Sequence, residues 1–269
     1  MRGFLTHILT HIRDNMKQPT AGIIYRGPSL LDGTSIVVIG VYNTKGANTK
    51  TGAVLQTYIL SDSGMSPSMA NYTGADYAIC GGCKHRGIAR PGHPGKVAPG
   101  RTCYVQMTGP SAVWDKYQRG GYPDCTAKEG RQTLARERFL RMGTYGDPGA
   151  VPYEVWEHML GVSAGHTAYT HQAMHQGAQP MPGSMMFSAD TREEAQQHQR
   201  EGARTFRVIP VKVWHDQGQA SLMPSEILCP ASKEAGARGT CLSCKLCVGA
   251  DVQAKSIAVV AHGATKGKV

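Results

Sequence analysis

The sequence predicts an α/β protein whose parallel sheet curves into a partial or complete (β/α) barrel, with an N-terminal β-hairpin and a C-terminal cysteine-rich cluster loop. Three observations carry this. From Cys103 onward, short β-rich runs alternate with helical patterns, and strand–helix alternation implies crossover connections and a parallel sheet. Upstream, two β-rich runs are joined by a turn-rich connector. Near the end, Cys229 to Cys247 reads CPASKEAGARGTCLSCKLC, with four cysteines in nineteen residues. An open doubly wound sheet is the second architecture that fits.

The elements follow in chain order. Phe4, Leu5, Ile8, Leu9, Ile12 and Met16 recur at helical spacing, so residues 1–20 read as a docking helix ahead of a single α/β domain spanning 21–269. Ser35–Tyr42 (SIVVIGVY) and Ala53–Leu60 (AVLQTYIL) flank NTKGANTKTG, which suits an antiparallel pair. CYVQM reads as a short strand, followed by helices at Ser111–Arg119 and Lys128–Phe139. RMGTY precedes a helix at Pro152–Leu160, and TAYTH and SMMFSA precede one at Thr191–Glu201. TFRVIPVKV is another β-rich run, and KSIAVVAHG returns a last strand to the sheet.

The chain carries 29 Lys and Arg against 19 Asp and Glu, a net charge of +10. Such a surface attracts polyanions, so nucleic acid is one class of partner; the basic residues are scattered, however, and no zinc-finger or helix-turn-helix pattern accompanies them. No run of eighteen apolar residues occurs and the start lacks a signal-peptide pattern, which predicts a cytoplasmic protein without a membrane partner. In a reducing compartment, clustered cysteines point to metal rather than disulfides.

Eight cysteines fall into two sets of four. Cys80, Cys83, Cys103 and Cys125 form the first, within 80–125. Gly81 and Gly82 let the first pair turn tightly, and His85 and His93 are alternative ligands. Should Cys80, Cys83 and Cys103 bind without Cys125, one iron of a cubane would be left open. Cys229, Cys241, Cys244 and Cys247 form the second set, within 229–247. Its C-x11-C-x2-C-x2-C spacing with an initial Cys-Pro matches iron–sulfur segments, while Zn²⁺ also takes four thiolates.

Other polar residues fall at the carboxyl ends of predicted strands, where α/β sheets place their ligands. Asp147 and His171 are candidates for catalysis, and Tyr145, Tyr169, Ser188 and Arg207 for cofactor binding. Asp147 equally reads as a cap for the next helix, His171 as a hydrogen-bonded core histidine, and Ser188 or Asp190 as an N-cap.

YRGPSLLDG, CGGCKHRG with CYV, GTYGDPGAVP, AYTHQ, TFRV and CPASKEAG with TCLSCKLC, in that order, resemble a family of uncharacterised bacteriophage and plasmid proteins. The resemblance spans about Tyr25 to His262, and Cys125 stands outside its pattern. More distantly the chain is similar to the phage gene product eighty-eight family, in which a cysteine pair also precedes a strand ending in Gly-Asp. These likenesses imply a viral or mobile-element origin and the host cytoplasm. A remoter likeness is to radical S-adenosylmethionine barrels, which carry an early cluster and an auxiliary C-terminal one. Those enzymes have C-x3-C-x2-C on one loop, whereas this chain has C-x2-C-x19-C.

Together these readings predict an iron–sulfur protein with two [4Fe–4S] clusters, in electron transfer or cluster-dependent chemistry with a redox partner or a small-molecule substrate. The alternatives are a zinc-stabilised nucleic-acid-binding protein and an enzyme using S-adenosylmethionine.

Overall fold

A computed structural model describes residues 18–44, 49–92 and 97–268. The docking helix predicted within 1–20 lies almost wholly outside the described residues, as does His93. The fold is mixed α/β, with two five-stranded sheets and, among the described residues, eight helices. None of these helices is long and apolar enough to cross a membrane.

The first sheet runs in the order β1 (Ala21–Pro28), β2 (Ser35–Tyr42), β3 (Leu55–Ser61), β4 (Phe139–Tyr145), β5 (Gly165–Thr167). β2 lies between β1 and β3 and is antiparallel to both, so the predicted pair forms as a three-stranded meander. Its central position explains its continuous apolar run, because Ile36, Val37, Val38 and Ile39 are buried on both faces. Gly40 makes room on this strand for the helix Lys128–Ala135, since a Cβ there would lie 2.8 Å from a Leu134 methyl.

From β3 onward every pairing is parallel, as the strand–helix alternation predicts. The second sheet runs β6 (Tyr169–Thr170), β7 (Met186–Ala189), β8 (Thr205–Ile209), β10 (Ser256–Val260), β9 (Glu226–Leu228). Only Ala168 separates β5 from β6, so the two sheets share one stretch of chain. Closure of these sheets into a barrel is not among the described pairings. The last strand inserts between β8 and β9 instead of closing an edge.

Two local expectations differ. CYVQM forms no strand, because its backbone is engaged elsewhere: the Thr102 and Cys103 amides donate to the His85 carbonyl, and the Arg101 guanidinium takes the Cys103 and Val105 carbonyls. TFRVIPVKV breaks at Pro210 into β8 and the helix Val211–Gln217, as a residue without an amide hydrogen and with fixed φ does at a helix start.

β4 carries the irregularity that shapes the interior. One residue of β3, Thr57, opposes three of β4, Met142, Gly143 and Thr144, between the Gln56↔Arg141 and Tyr58↔Tyr145 pairs. The Thr57 hydroxyl fills the gap, donating to the Arg141 carbonyl (3.1 Å) and accepting from the Gly143 amide (2.9 Å). Gly143 sits at φ +65°, where a Cβ would lie 2.6 Å from the Gly146 carbonyl oxygen and 2.7 Å from Pro148 Cδ. Gly143→Ala therefore combines left-handed strain with overlap against rigid groups and is expected to cost about 2–4 kcal/mol. A lowered denaturant midpoint with unchanged slope is the result to look for.

Candidate metal centre

Residues of β4 to β8 and β10 look into a common cavity of about 430 Å³, a size suited to a small-molecule ligand, and on β8 and β10 they alternate as strand side chains do. Arg141 and Tyr145 of β4, Tyr169 and His171 at β6, and Phe206 and Val208 of β8 line it. Seven cysteines line it too: Cys80, Cys83, Cys103, Cys229, Cys241, Cys244 and Cys247. All eight cysteines are free thiols.

The first set is held by an interlocked turn. Cys80 ends the short helix Tyr77–Cys80, and Gly81 follows at φ +51°. A side chain at Gly81 would strain the positive φ and displace the Gln172 carboxamide, whose Oε1 would lie 2.1 Å from a Cβ. The Gln172 amide nitrogen donates to the Cys80 carbonyl (2.8 Å), and its oxygen accepts weakly from the Gly82 amide (3.4 Å). Arg86 donates to the Gly81 and Gly74 carbonyls and pairs with Asp76. The His85 amide donates to the Cys83 sulfur. Burial pushes Cys83 up to about 12 and raises Cys80 well above a free thiol; nearby Asp76, Cys83 and Cys103 add to the rise at Cys80. These three thiols thus share one electrostatic neighbourhood.

Cys125 does not join them. It is buried against β1, where its amide donates to the Ile23 carbonyl (2.8 Å), its side chain fills the space left by Gly22, and its backbone packs against Gly130. It belongs to the apolar core and does not line the cavity. The first set therefore has three thiols where the count of eight suggested four.

The second set is built from the C-terminal loop. Cys229 follows β9 and donates its amide to the Ala258 carbonyl (2.8 Å). Thr240 and Ser243 form a reciprocal cap on the turn Cys241–Cys244, and Lys245 ends it in the left-handed region. The Cys241 amide ties this turn to the Lys50 carbonyl, and the Cys247 carbonyl accepts from the Ala168 amide between the two sheets. Tyr169 hydrogen-bonds the Cys247 sulfur, and burial together with the neighbouring Cys229, Cys241 and Cys244 carries Cys247 up to about 12.

Asp147 and His171 both reach the cavity wall. The Asp147 carboxylate accepts from Thr170 Oγ1 (2.7 Å), the His171 amide (2.7 Å) and the Gly149 amide (2.9 Å), so it caps the Pro148–Ala150 turn and fixes the end of β6. Burial raises its pKa despite these donors. The accessible part of the His171 ring opens to the cavity, and burial lowers its pKa. Tyr145 lies beside Cys80 and Cys103, and among the described residues its buried hydroxyl has no hydrogen-bond partner. Tyr169 and Ser188 also line the cavity.

Arg207 is the clear departure. Phe206 and Val208 face the cavity, so the alternation of β8 turns Arg207 to the opposite side. There its guanidinium grips Glu226 through two bonds (2.7 and 2.5 Å) and donates to the Ser221 carbonyl. It does not line the cavity, and its donors are engaged by Glu226 and Ser221 within the fold.

Arg86, Arg101 and Arg141 of the cavity were legible only as members of a scattered basic surface able to meet a negatively charged cluster, and Lys50 and Lys245 were not singled out. Arg141 was within reach: it lies four residues before Tyr145, on the same face of the same predicted strand. Lys50 and Arg101 arrive from loops and had no such signal.

The thiols are not gathered around a single point. Among the described residues, the one group of three or more ligating side chains whose ligand atoms all lie within 4.8 Å of one another is His85, His171 and Asp190. A zinc tetrahedron with bonds near 2.3 Å would bring its thiolates to about 3.8 Å from one another. Neither cysteine set packs so tightly.

Fold and cavity together define a mixed α/β protein with two thiol sets facing one interior space. No protein-family model, curated protein or solved structure matches the chain.

Proposed function

We propose that the protein is an iron–sulfur protein built on a partial (β/α) barrel, with Cys229, Cys241, Cys244 and Cys247 holding one [4Fe–4S] cluster and Cys80, Cys83 and Cys103 the other. The observation that carries this is the convergence of seven thiols, in sets of four and three, on one cavity. Three features fit the group. The thiols stand wider than one metal ion requires, as ligands to different atoms of a polynuclear core do. The orphaned Tyr145 hydroxyl beside Cys80 and Cys103 lacks a partner that cluster sulfur would supply. Lys50, Arg101, Arg141 and Lys245 offset the negative charge of thiolate-ligated clusters.

A cluster supplies one-electron transfer, and an iron without a protein thiolate supplies a coordination position for a small molecule. The protein's own part is to hold seven thiols, exclude bulk water and set positive charge around them. We therefore read the function as electron transfer or cluster-dependent chemistry on a small molecule. A radical reaction on S-adenosylmethionine is the second reading, favoured by the three-thiol count of the first set. It requires that the reduced protein cleave that compound.

Anaerobic reconstitution is expected to give a brown protein with roughly eight iron and eight sulfide per chain. Cys125→Ala should keep all of it, whereas Cys83→Ala should lose about half. A colourless protein holding zinc without iron or sulfide would overturn the proposal in favour of a zinc-stabilised scaffold.

A further inference from the structure

We propose that His85, His171 and Asp190 form a mononuclear divalent-metal site on the cavity wall, separate from the thiols, that takes a first-row ion such as Mn²⁺ or Fe²⁺ through two imidazoles and one carboxylate. His85 stands in the sequence as an alternative ligand of the first cysteine set, but the iron–sulfur proposal uses none of these three residues, so the inference does not depend on the clusters.

The three side chains come from three parts of the chain: the turn after Cys83, the end of β6 and the end of β7. Their ligand atoms all lie within 4.8 Å of one another. His85 Nε2 is 2.8 Å from Asp190 Oδ1, and His171 Nε2 is 4.0 Å from the same oxygen. The two rings meet edge to face with centroids 5.7 Å apart.

Each group is oriented from behind. Thr102 Oγ1 lies 2.6 Å from His85 Nδ1 and so occupies the far side of that ring, leaving Nε2 as the nitrogen turned to the cluster of three. The His171 amide is fixed on Asp147, which places its ring at the cavity wall. The Asp190 amide donates to Glu194 at 2.8 Å, and Lys84 Nζ lies 3.1 Å from Asp190 Oδ2, on the oxygen away from His85.

A hydrogen-bonded His85–Asp190 pair would need only those two residues. His171 is the third group: it is too far from Asp190 for a hydrogen bond, yet near enough to share an ion with it. Two imidazoles and one carboxylate on one side of an ion leave positions for water or a substrate on the other, where the cavity lies. Imidazole and carboxylate together accept first-row divalent ions, Zn²⁺ included, and Mn²⁺ is the probe whose free-ion signal reports binding directly.

The test is to titrate Mn²⁺ into the anaerobically reconstituted full-length protein and follow loss of the free-ion spin-resonance signal. One Mn²⁺ per chain should bind, and His171→Gln and Asp190→Asn should each weaken it about tenfold or more, with iron and sulfide unchanged. Failure of the native protein to bind Mn²⁺, or equal binding by both variants, overturns the site. So does loss of iron and sulfide in His171→Gln, which would make that histidine a cluster ligand. A protein without iron or sulfide that still binds one Mn²⁺, and loses it in the variants, supports this site while removing the iron–sulfur reading.

Discussion

Arg204→Met is expected to remove about half of the iron and to lower stability by roughly 3–5 kcal/mol, although Arg204 lies outside both cysteine sets. Its guanidinium is buried and donates to five carbonyls of the C-terminal loop: Leu246 (2.9 Å), Val248 (2.7 Å), Gly249 (3.3 Å), Ala254 (2.9 Å) and Lys255 (2.7 Å). Two of these flank Cys247, so the arginine fixes the loop that presents the last thiol. Methionine fills much of the volume but leaves the buried Val248 and Gly249 carbonyls and three part-buried ones without this donor, a loss that local relaxation restores only in part. Iron analysis alongside denaturant unfolding separates the two effects. If Arg204→Met retains full iron and sulfide, the C-terminal loop is held by its other contacts and the argument fails. A variant too unstable to purify can be replaced by Arg204→Lys, which should keep partial occupancy because an ammonium reaches fewer of the five carbonyls.

Glu226→Gln is expected to cost roughly 3–5 kcal/mol while leaving the iron content of the folded fraction unchanged. The Glu226 side chain is fully buried and accepts from Arg207 twice and from the Met223 amide. Glutamine leaves the Arg207 charge inside the protein without its counter-charge, and that uncompensated charge is the larger part of the cost. The paired variant Arg207→Met with Glu226→Leu should recover most of the stability, because removing both charges removes the desolvation cost as well. Loss of iron in the paired variant would return Arg207 to the cavity and contradict its placement on the outer face.

Much of the fold was legible from local pattern. Val37 and Ile39 belong to an unbroken apolar run, which marks a strand buried on both faces; REEAQQHQR was legible as a helix, but its N-cap is Thr191 instead of the expected Ser188 or Asp190, because the Thr191 hydroxyl accepts from the Glu194 amide. CYVQM failed because alternation alone cannot say whether a partner strand is present. Here Arg101 and the His85 carbonyl satisfy its backbone, so no ladder is needed. The same limit applied to Arg207, where TFRV shows the alternation but not which of its two faces meets the cavity.

The sequence by itself determined the spacing of the thiols, the glycine pair that lets Cys80 and Cys83 turn together, and the strand–helix alternation that makes the sheet parallel. These are consequences of a few adjacent residues and hold wherever the segment lies. Tertiary structure alone decided that Cys125 is packed into the core while Cys103, grouped with the first pair from the sequence, stays beside it, and that both thiol sets face one cavity. Residues far apart in the chain meet only through sheet register and the parity of side chains on each strand, and a shift of one residue in either would turn a ligand outward.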